Sequence, residues 1–330
     1  MPTLAENRPK IAFVFPGQGS QFVGMGSSLA EHSPAAREIF RQADDALGFS
    51  LSNLCFNGPD DELRDTMNAQ PAILTVSIAS LAALQETLGP ASWAELRPRF
   101  VAGHSLGEYS ALVAAGSLDF PTAVRLVRER GRLMKETGDR TPGGMAAVIG
   151  LDVATLEEVC RQANASGIVC AANYNTPTQT VISGELAALS AAIELAVASG
   201  AHKVVRLAVS IAAHSPIMHR ASEQFAEAIS HFHLQDALIP VMSDISAQVI
   251  MTAEEIRTDL SRQLYSSVRW TEMVRQMLSA GVTTFVEIGP GDVLAALIKR
   301  IDRKAQTLSI GDPTSLQASL KHLRPTTTRF

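Results

Sequence analysis

The chain has 330 residues and a mass of 35.2 kDa, with 46% hydrophobic and 18% charged residues, which is enough to bury a large core and excludes a small independent module. A net charge of -5 and an isoelectric point near 5.9 offer no basic face for nucleic acid. The absence of an uninterrupted apolar run of bilayer length, and of a basic-then-apolar leader between Met1 and Lys10, leads us to expect a cytoplasmic protein that neither crosses nor binds a membrane.

Pro and Gly punctuate periodic stretches throughout, with no fixed-period repeat and no low-complexity segment. Apolar runs at residues 11–15, 100–103, 239–242 and 284–288 each precede a turn signal and then a helical pattern, as a mostly parallel sheet buried between helices requires. Between them the pattern changes. Strands are predicted at 145–150, 168–173, 178–183 and 203–207, with helices at 153–164 and 185–199. That βαββαβ order is the ferredoxin-like motif, and Thr141-Pro142-Gly143-Gly144 is a plausible linker into it. The expected architecture is therefore a discontinuous α/β catalytic domain, residues 1–140 and 211–330, interrupted by a ferredoxin-like subdomain at 141–210. The cleft between two such lobes is a usual place for a substrate. Cys55, Cys160 and Cys170 are too few and too irregularly spaced for a disulfide framework and are expected to be reduced.

Within the first body segment, the predicted strand ending at Gly103 runs through His104-Ser105-Leu106-Gly107 into a helical stretch. This places Ser105 on a nucleophile elbow, where Gly103 and Gly107 permit the close approach of strand and helix. The Leu106 amide would point outward at a positive helix end, ready for a developing oxyanion. Alone, the same motif also fits a tight turn holding an inert serine. A serine nucleophile needs a base. Of the histidines, His104 is expected to point away from Ser105, and His32, His202, His219, His231 and His233 to face water. His214 stands out at the turn where the inserted lobe rejoins the body, although a histidine there can equally be a cap or a solvated residue. An α/β-hydrolase would need a late histidine, and the one present, His322, sits in a polar tail. Neither a P-loop nor a dinucleotide fingerprint is completed by Gly17 and Gly19, and no His, Cys and carboxylate cluster has the spacing of metal ligands.

Phe13-Val14-Phe15-Pro16-Gly17-Gln18-Gly19-Ser20-Gln21, together with Gly103-His104-Ser105-Leu106-Gly107-Glu108, resembles the malonyl-CoA:acyl carrier protein transacylase family of fatty-acid and polyketide synthesis. The resemblance continues through Gln70-Pro71-Ala72, Arg130-Gly131-Arg132, Asn173 to Gly184, His214-Ser215, Gln263-Leu264-Tyr265 and Glu287-Ile288-Gly289-Pro290-Gly291, covering about residues 10–302. It implies a hydrolase-like parallel-sheet body with the ferredoxin-like insertion. It implies Ser105 as nucleophile, His214 as base, and the backbone carbonyl of Gln263, in place of a carboxylate, as the group that orients the imidazole. Gln18 and Leu106 would supply the oxyanion-hole amides. Arg130 would receive the free carboxylate of malonyl, while Arg125, Arg128 and Arg132 on the same helix are expected to be solvated. The implied substrates are malonyl-CoA and holo acyl carrier protein, with no metal or redox cofactor.

Two positions depart from the family pattern. Ala212-Ala213 replaces a bulkier or prolyl pair before His214, leaving room for an α-substituent such as that of methylmalonyl; Ser266 stands where asparagine is usual, a change expected to be tolerated. A carrier-protein hydrolase of the same fold would ordinarily lack the arginine present here as Arg130. Carrier proteins are acidic, so Lys203 and Arg206 are candidates for docking them, although a solvated strand end explains both equally well.

Overall fold

The computed structural model describes residues 10–323; residues 1–9, most of the stretch read above for a leader, lie outside them. Its strands are β1 (Ile11–Phe15), β2 (Phe100–Gly103), β3 (Gly143–Ile149), β4 (Val169–Thr176), β5 (Gln179–Glu185), β6 (Lys203–Arg206), β7 (Val241–Met242), β8 (Val249–Ile250), β9 (Thr284–Ile288) and β10 (Gln306–Ile310).

The larger sheet runs β10-β9-β1-β2-β7-β8. It is parallel up to β7, where β8 closes the edge antiparallel. Every residue of β1, β2 and β9 is buried, which is why β1 and β2 read as unbroken apolar runs, while β9 also buries Thr284 and Glu287. Three strands departed from expectation: β8 and β10 were not anticipated and β7 is shorter than read. β10 has polar Gln306, Thr307 and Ser309 because it is an edge strand with one partner, and the predicted 239–242 strand shortens to β7 because Pro240 precedes it, contributing its carbonyl to Val101 N–H at 2.9 Å.

The smaller sheet is antiparallel in the order β4-β5-β3-β6, with helices Val153–Ala163 and Leu186–Ala198 supplying the two crossovers of the ferredoxin-like pattern. Gly143 and Gly144 belong to β3 rather than to a linker. A Cβ on Gly143 would come within 2.7 Å of the Ala212 Cβ, so glycine serves close packing there. The lobes are stitched where β4 meets residues 267–268: Val268 N–H donates to Ala172 O at 2.8 Å, and Tyr174 N–H donates to Val268 O at 2.9 Å.

Helix Thr66–Glu95 is long and apolar enough to cross a bilayer on length and composition, contrary to the expectation that no such run exists. It lies instead inside the protein, capped by Asp65, with Gln70, Thr75, Ser77 and Ser80 all buried along it. Helices Pro34–Leu47 and Phe120–Arg140 pack against it. The latter turns Arg130 inward.

The in-register pairing of Phe15 with Gly103 ends β1 and β2 side by side, and His104 N–H donates to Phe15 O at 3.1 Å. The loops carrying Gln18 and Ser105 therefore leave the C-terminal edge of the sheet together, the usual ligand position in an open α/β sheet.

Candidate active site

Ser105 adopts φ 52°, a left-handed conformation disfavoured for a residue with a Cβ, between β2 and helix Gly107–Ala114. The turn depends on the flanking glycines. A Cβ on Gly103 would sit 1.8 Å from the Gly107 carbonyl carbon, and one on Gly107 would sit 2.0 Å from Phe15 O. The elbow opens on a cavity of about 430 Å³ between the lobes, lined by Gln18, Ser105, Arg130, His214 and, from the small lobe, Met145, Asn173 and Asn175. Neither the Leu106 nor the Gln18 amide has an acceptor among the described residues. Both are free to donate to an oxyanion.

Ser105 Oγ lies 2.7 Å from His214 Nε2. His214 is itself left-handed, at φ 58°, and buried, with its N–H bonded to Leu264 O at 2.9 Å. Its Nδ1 faces two backbone carbonyls, Gln263 O at 3.0 Å and Ser266 O at 2.9 Å. Two acceptors on that side place the proton on Nδ1, leaving Nε2 to accept from the serine hydroxyl. Burial, and next the nearby Arg130 charge, hold His214 down to about 3, so the ring is an unprotonated base at neutral pH. Because Ser266 contributes its backbone, the side-chain departure there leaves this contact intact.

Arg130 is 1% exposed. Its Nη2 donates to Ser105 Oγ and to Gln263 Oε1, both at 3.0 Å, and its Nη1 donates to Gln70 Oε1 at 2.8 Å, while the guanidinium sits 5.5 Å from the Tyr109 ring centroid. All these partners are neutral, and a buried cation without a counter-ion is costly. The site is thus electrostatically suited to an anionic group entering the cavity. The polar network continues beyond it: Gln70 Nε2 donates to Thr66 Oγ1 at 3.0 Å, and the Thr66 hydroxyl donates to Gln18 Oε1 at 2.9 Å. The residues named from the resemblance, Gln18, Ser105, Leu106, Arg130, His214 and Gln263, are thereby brought to one place.

Other expectations need correction. His104 does not point away: its ring lines the cavity, and its Nε2 donates to Asn175 Oδ1 at 2.8 Å. The sharp elbow turn, which puts successive side chains on the same rim, defeats the alternation assumed for an extended chain. Arg128 is half-buried rather than fully solvated: it lies over the Phe49 ring at 4.6 Å and donates to Asn68 Oδ1. Arg132 pairs with Glu129 and Glu136, and Arg125 is exposed. His32, His202, His219, His231, His233 and His322 are all exposed. The sequence reading had no signal for the side-chain roles of Gln70 and Gln263, because their partners lie 60 and 133 residues away at Arg130.

The acyl transferase domain family matches residues 12–316. The chain is 45% identical to the malonyl CoA-acyl carrier protein transacylase of Bacillus subtilis, over 96% of this chain and 98% of that one, and 44% identical to that of Haemophilus influenzae, over 94% and 97%. Among solved structures it is similar to the malonyl CoA-acyl carrier protein transacylase of Coxiella burnetii (TM-score 0.92, 38% identity, 96% and 99% covered). It is also similar to a malonyl-transacylase in complex with its type II PKS acyl-carrier protein (TM-score 0.90, 40% identity, 94% and 99% covered).

Proposed function

The chain belongs to the acyl transferase domain family, and on that premise we propose that it transfers a malonyl group from malonyl-CoA to the phosphopantetheine thiol of an acyl carrier protein, in fatty-acid or polyketide synthesis in the cytoplasm. The observation that carries this reading is the convergence of His214 Nε2 at 2.7 Å and Arg130 Nη2 at 3.0 Å on one atom, Ser105 Oγ, facing the inter-lobe cavity. A base beside the hydroxyl makes the nucleophile; a buried guanidinium with no carboxylate in direct contact selects a carboxylate-bearing acyl group.

The cycle is ping-pong. His214 Nε2 takes the Ser105 proton as Oγ attacks the thioester carbonyl, and the amides of Gln18 and Leu106 receive the oxyanion. The tetrahedral adduct expels coenzyme A, whose sulfur takes the proton back from His214. The carrier thiol then gives its proton to His214 and attacks the malonyl ester, and Ser105 Oγ leaves with that proton. The cycle calls for no metal or redox cofactor. With the malonyl carboxylate on Arg130, the acyl group fills the space beside the ester, so thiol attack outruns hydrolysis. Ala213 on the cavity wall favours a second reading at the level of substrate, an enzyme that also accepts α-substituted malonyl units.

Intact-protein mass spectrometry after brief incubation with malonyl-CoA tests the proposal. A malonyl adduct is expected on the wild type and not on Ser105→Ala, and holo carrier protein should discharge it onto its own thiol. No adduct, or discharge to free malonate with carrier present, would refute transfer and, in the second case, indicate a carrier-protein hydrolase.

A further inference from the structure

Three carboxylates unused by this cycle lie behind the elbow. Glu108 is in the first turn of helix Gly107–Ala114, Asp244 follows β7, and Asp259 is on helix Ala253–Gln263. Glu108 and Asp244 are fully buried and Asp259 is 6% exposed, and one oxygen from each lies within 4.8 Å of the others. Asp244 N–H donates to Glu108 Oε1 at 3.2 Å, and the Ser243 hydroxyl donates to Asp259 Oδ1 at 2.5 Å. Asp244 Oδ1 and Asp259 Oδ2 have no partner among the described residues.

Like charges this close and this buried cannot all ionise. Burial, reinforced by the neighbouring carboxylates, raises Glu108 and Asp244 well above the usual range, and burial lifts Asp259 to about 6. A Glu108 that keeps its proton has carboxyl oxygens of both Asp244 and Asp259 nearby to share it with.

The cluster reaches the site through Gln263. The Gln263 Nε2 has three acceptors within reach of its two protons, Glu108 Oε2 at 2.5 Å, Ser105 O at 3.0 Å and Asp244 Oδ2 at 3.2 Å. Its Oε1 accepts from Arg130 Nη2, and its backbone carbonyl accepts from His214 Nδ1. Arginine has no acceptor, so reversing the amide would set donor against donor on one face and acceptor against acceptor on the other. One residue thus touches base, clamp and nucleophile.

We propose that Glu108, Asp244 and Asp259 are positioning residues that lock the Gln263 amide and thereby aim Arg130 and His214 as a unit. The proposal rests on the malonyl-transfer reading, because Arg130 has to be aimed only if a carboxylate is to be received. Loosening the amide lets the guanidinium drift, and this penalises a malonyl thioester more than an acetyl one, which makes no use of the clamp.

The test compares acyl-loading kinetics of the full-length wild type, Glu108→Leu, Glu108→Gln and Asp244→Asn with malonyl-CoA and acetyl-CoA, alongside infrared spectra. Glu108→Leu should lower kcat/KM for malonyl-CoA by on the order of tenfold more than for acetyl-CoA, a scale consistent with small misplacements in catalytic geometry. Glu108→Gln, which keeps an acceptor and a donor in place, should recover most of that preference. The wild type should show the carbonyl band of a protonated carboxylic acid, lost in Glu108→Gln. Equal losses on both thioesters would overturn the proposal, as would a missing band, or a stoichiometric bound cation that Asp244→Asn loses. Should Glu108→Leu not fold, Asp244→Asn is read on the same ratio and the wild-type band still decides. Failure of the wild type to load malonyl would instead strike the transfer reading.

Discussion

Arg130 Nη2 lies 3.0 Å from Ser105 Oγ, so the cation that suits an incoming carboxylate also bonds the nucleophile before substrate arrives. A malonyl carboxylate received there would sit beside a hydroxyl already bonded to His214 Nε2 at 2.7 Å. In the proposed cycle, one side chain would thus touch both the substrate and the nucleophile.

Replacing Arg130 with Ala should separate these roles. Hydrogen bonds to charged groups contribute about 1.5–3 kcal/mol, so kcat/KM for malonyl-CoA should drop by roughly tenfold to a hundredfold. Loading of uncharged acyl groups should rise relative to malonyl. Arg130→Lys should recover little, since an ammonium cannot form two parallel bonds to a carboxylate. Competition between malonyl-CoA and acetyl-CoA, read as adduct masses, measures both effects; an unchanged ratio in Arg130→Ala would remove the carboxylate clamp from the mechanism.

The pH dependence follows from His214, held down to about 3 by burial first and by the Arg130 charge second. In the free enzyme the base stays unprotonated well below the ordinary histidine value of about 6.5. The acid limb of kcat/KM attributable to this group should therefore fall below about pH 5. A bound carboxylate offsets the Arg130 charge, so the corresponding limb of kcat should lie higher. Stability has the same sign: the unfolded chain protonates this histidine below about 6.5 while the folded site resists, so its contribution is complete above that value and is lost as pH falls toward about 3. Urea midpoints of wild type and His214→Gln at neutral and mildly acidic pH measure this, and the variant should lose less on acidification.

The elbow, the ferredoxin-like lobe and the buried central strands were legible in the sequence because each is a local pattern. Gly103 and Gly107 bracket Ser105, β1 reads as five consecutive buried apolar residues, and helices and strands alternate at their own periods through β3 to β6. What was not legible is what folding brings together. Gln263 meets Ser105 across 158 positions and Glu108 across 155. His104 was misread because strand alternation does not survive a left-handed turn at the next residue. Polar side chains buried between residues 66 and 84 of helix Thr66–Glu95 carry no periodic signal, since nearly every position there is covered.

Docking of the carrier protein can be tested at Lys203 and Arg206. Both are exposed on β6, the edge strand that leads into residues 207–211 at the cavity mouth, and Arg206 donates to Ser190 Oγ at 2.7 Å. Exposed charges act mainly on encounter and are screened by salt. Lys203→Glu combined with Arg206→Glu should raise KM for carrier protein several-fold at low salt, with malonyl-CoA loading unchanged, and the difference should shrink as salt is added. Unchanged carrier KM at low salt would place docking elsewhere.

Ala213 is the member of the Ala212-Ala213 pair that lines the cavity, whereas Ala212 packs against the backbone of Gly143, where an added Cβ would come within 2.7 Å of it. Of the pair, only Ala213 could therefore border an α-substituent in the proposed substrate. Ala213→Val adds two methyl groups to that wall, and differences of one methylene change discrimination by about 1–3 kcal/mol. Loading of methylmalonyl-CoA should fall by on the order of tenfold relative to malonyl-CoA, while malonyl loading itself changes less because its α-carbon carries only hydrogens. Ala212→Val should instead lower thermal stability with the substrate ratio unaltered, since its added bulk meets β3 rather than substrate. If Ala213→Val leaves the methylmalonyl-to-malonyl ratio where it was, the wall beside His214 does not face the α-carbon, and the room left by the small pair has no bearing on which acyl group Ser105 carries.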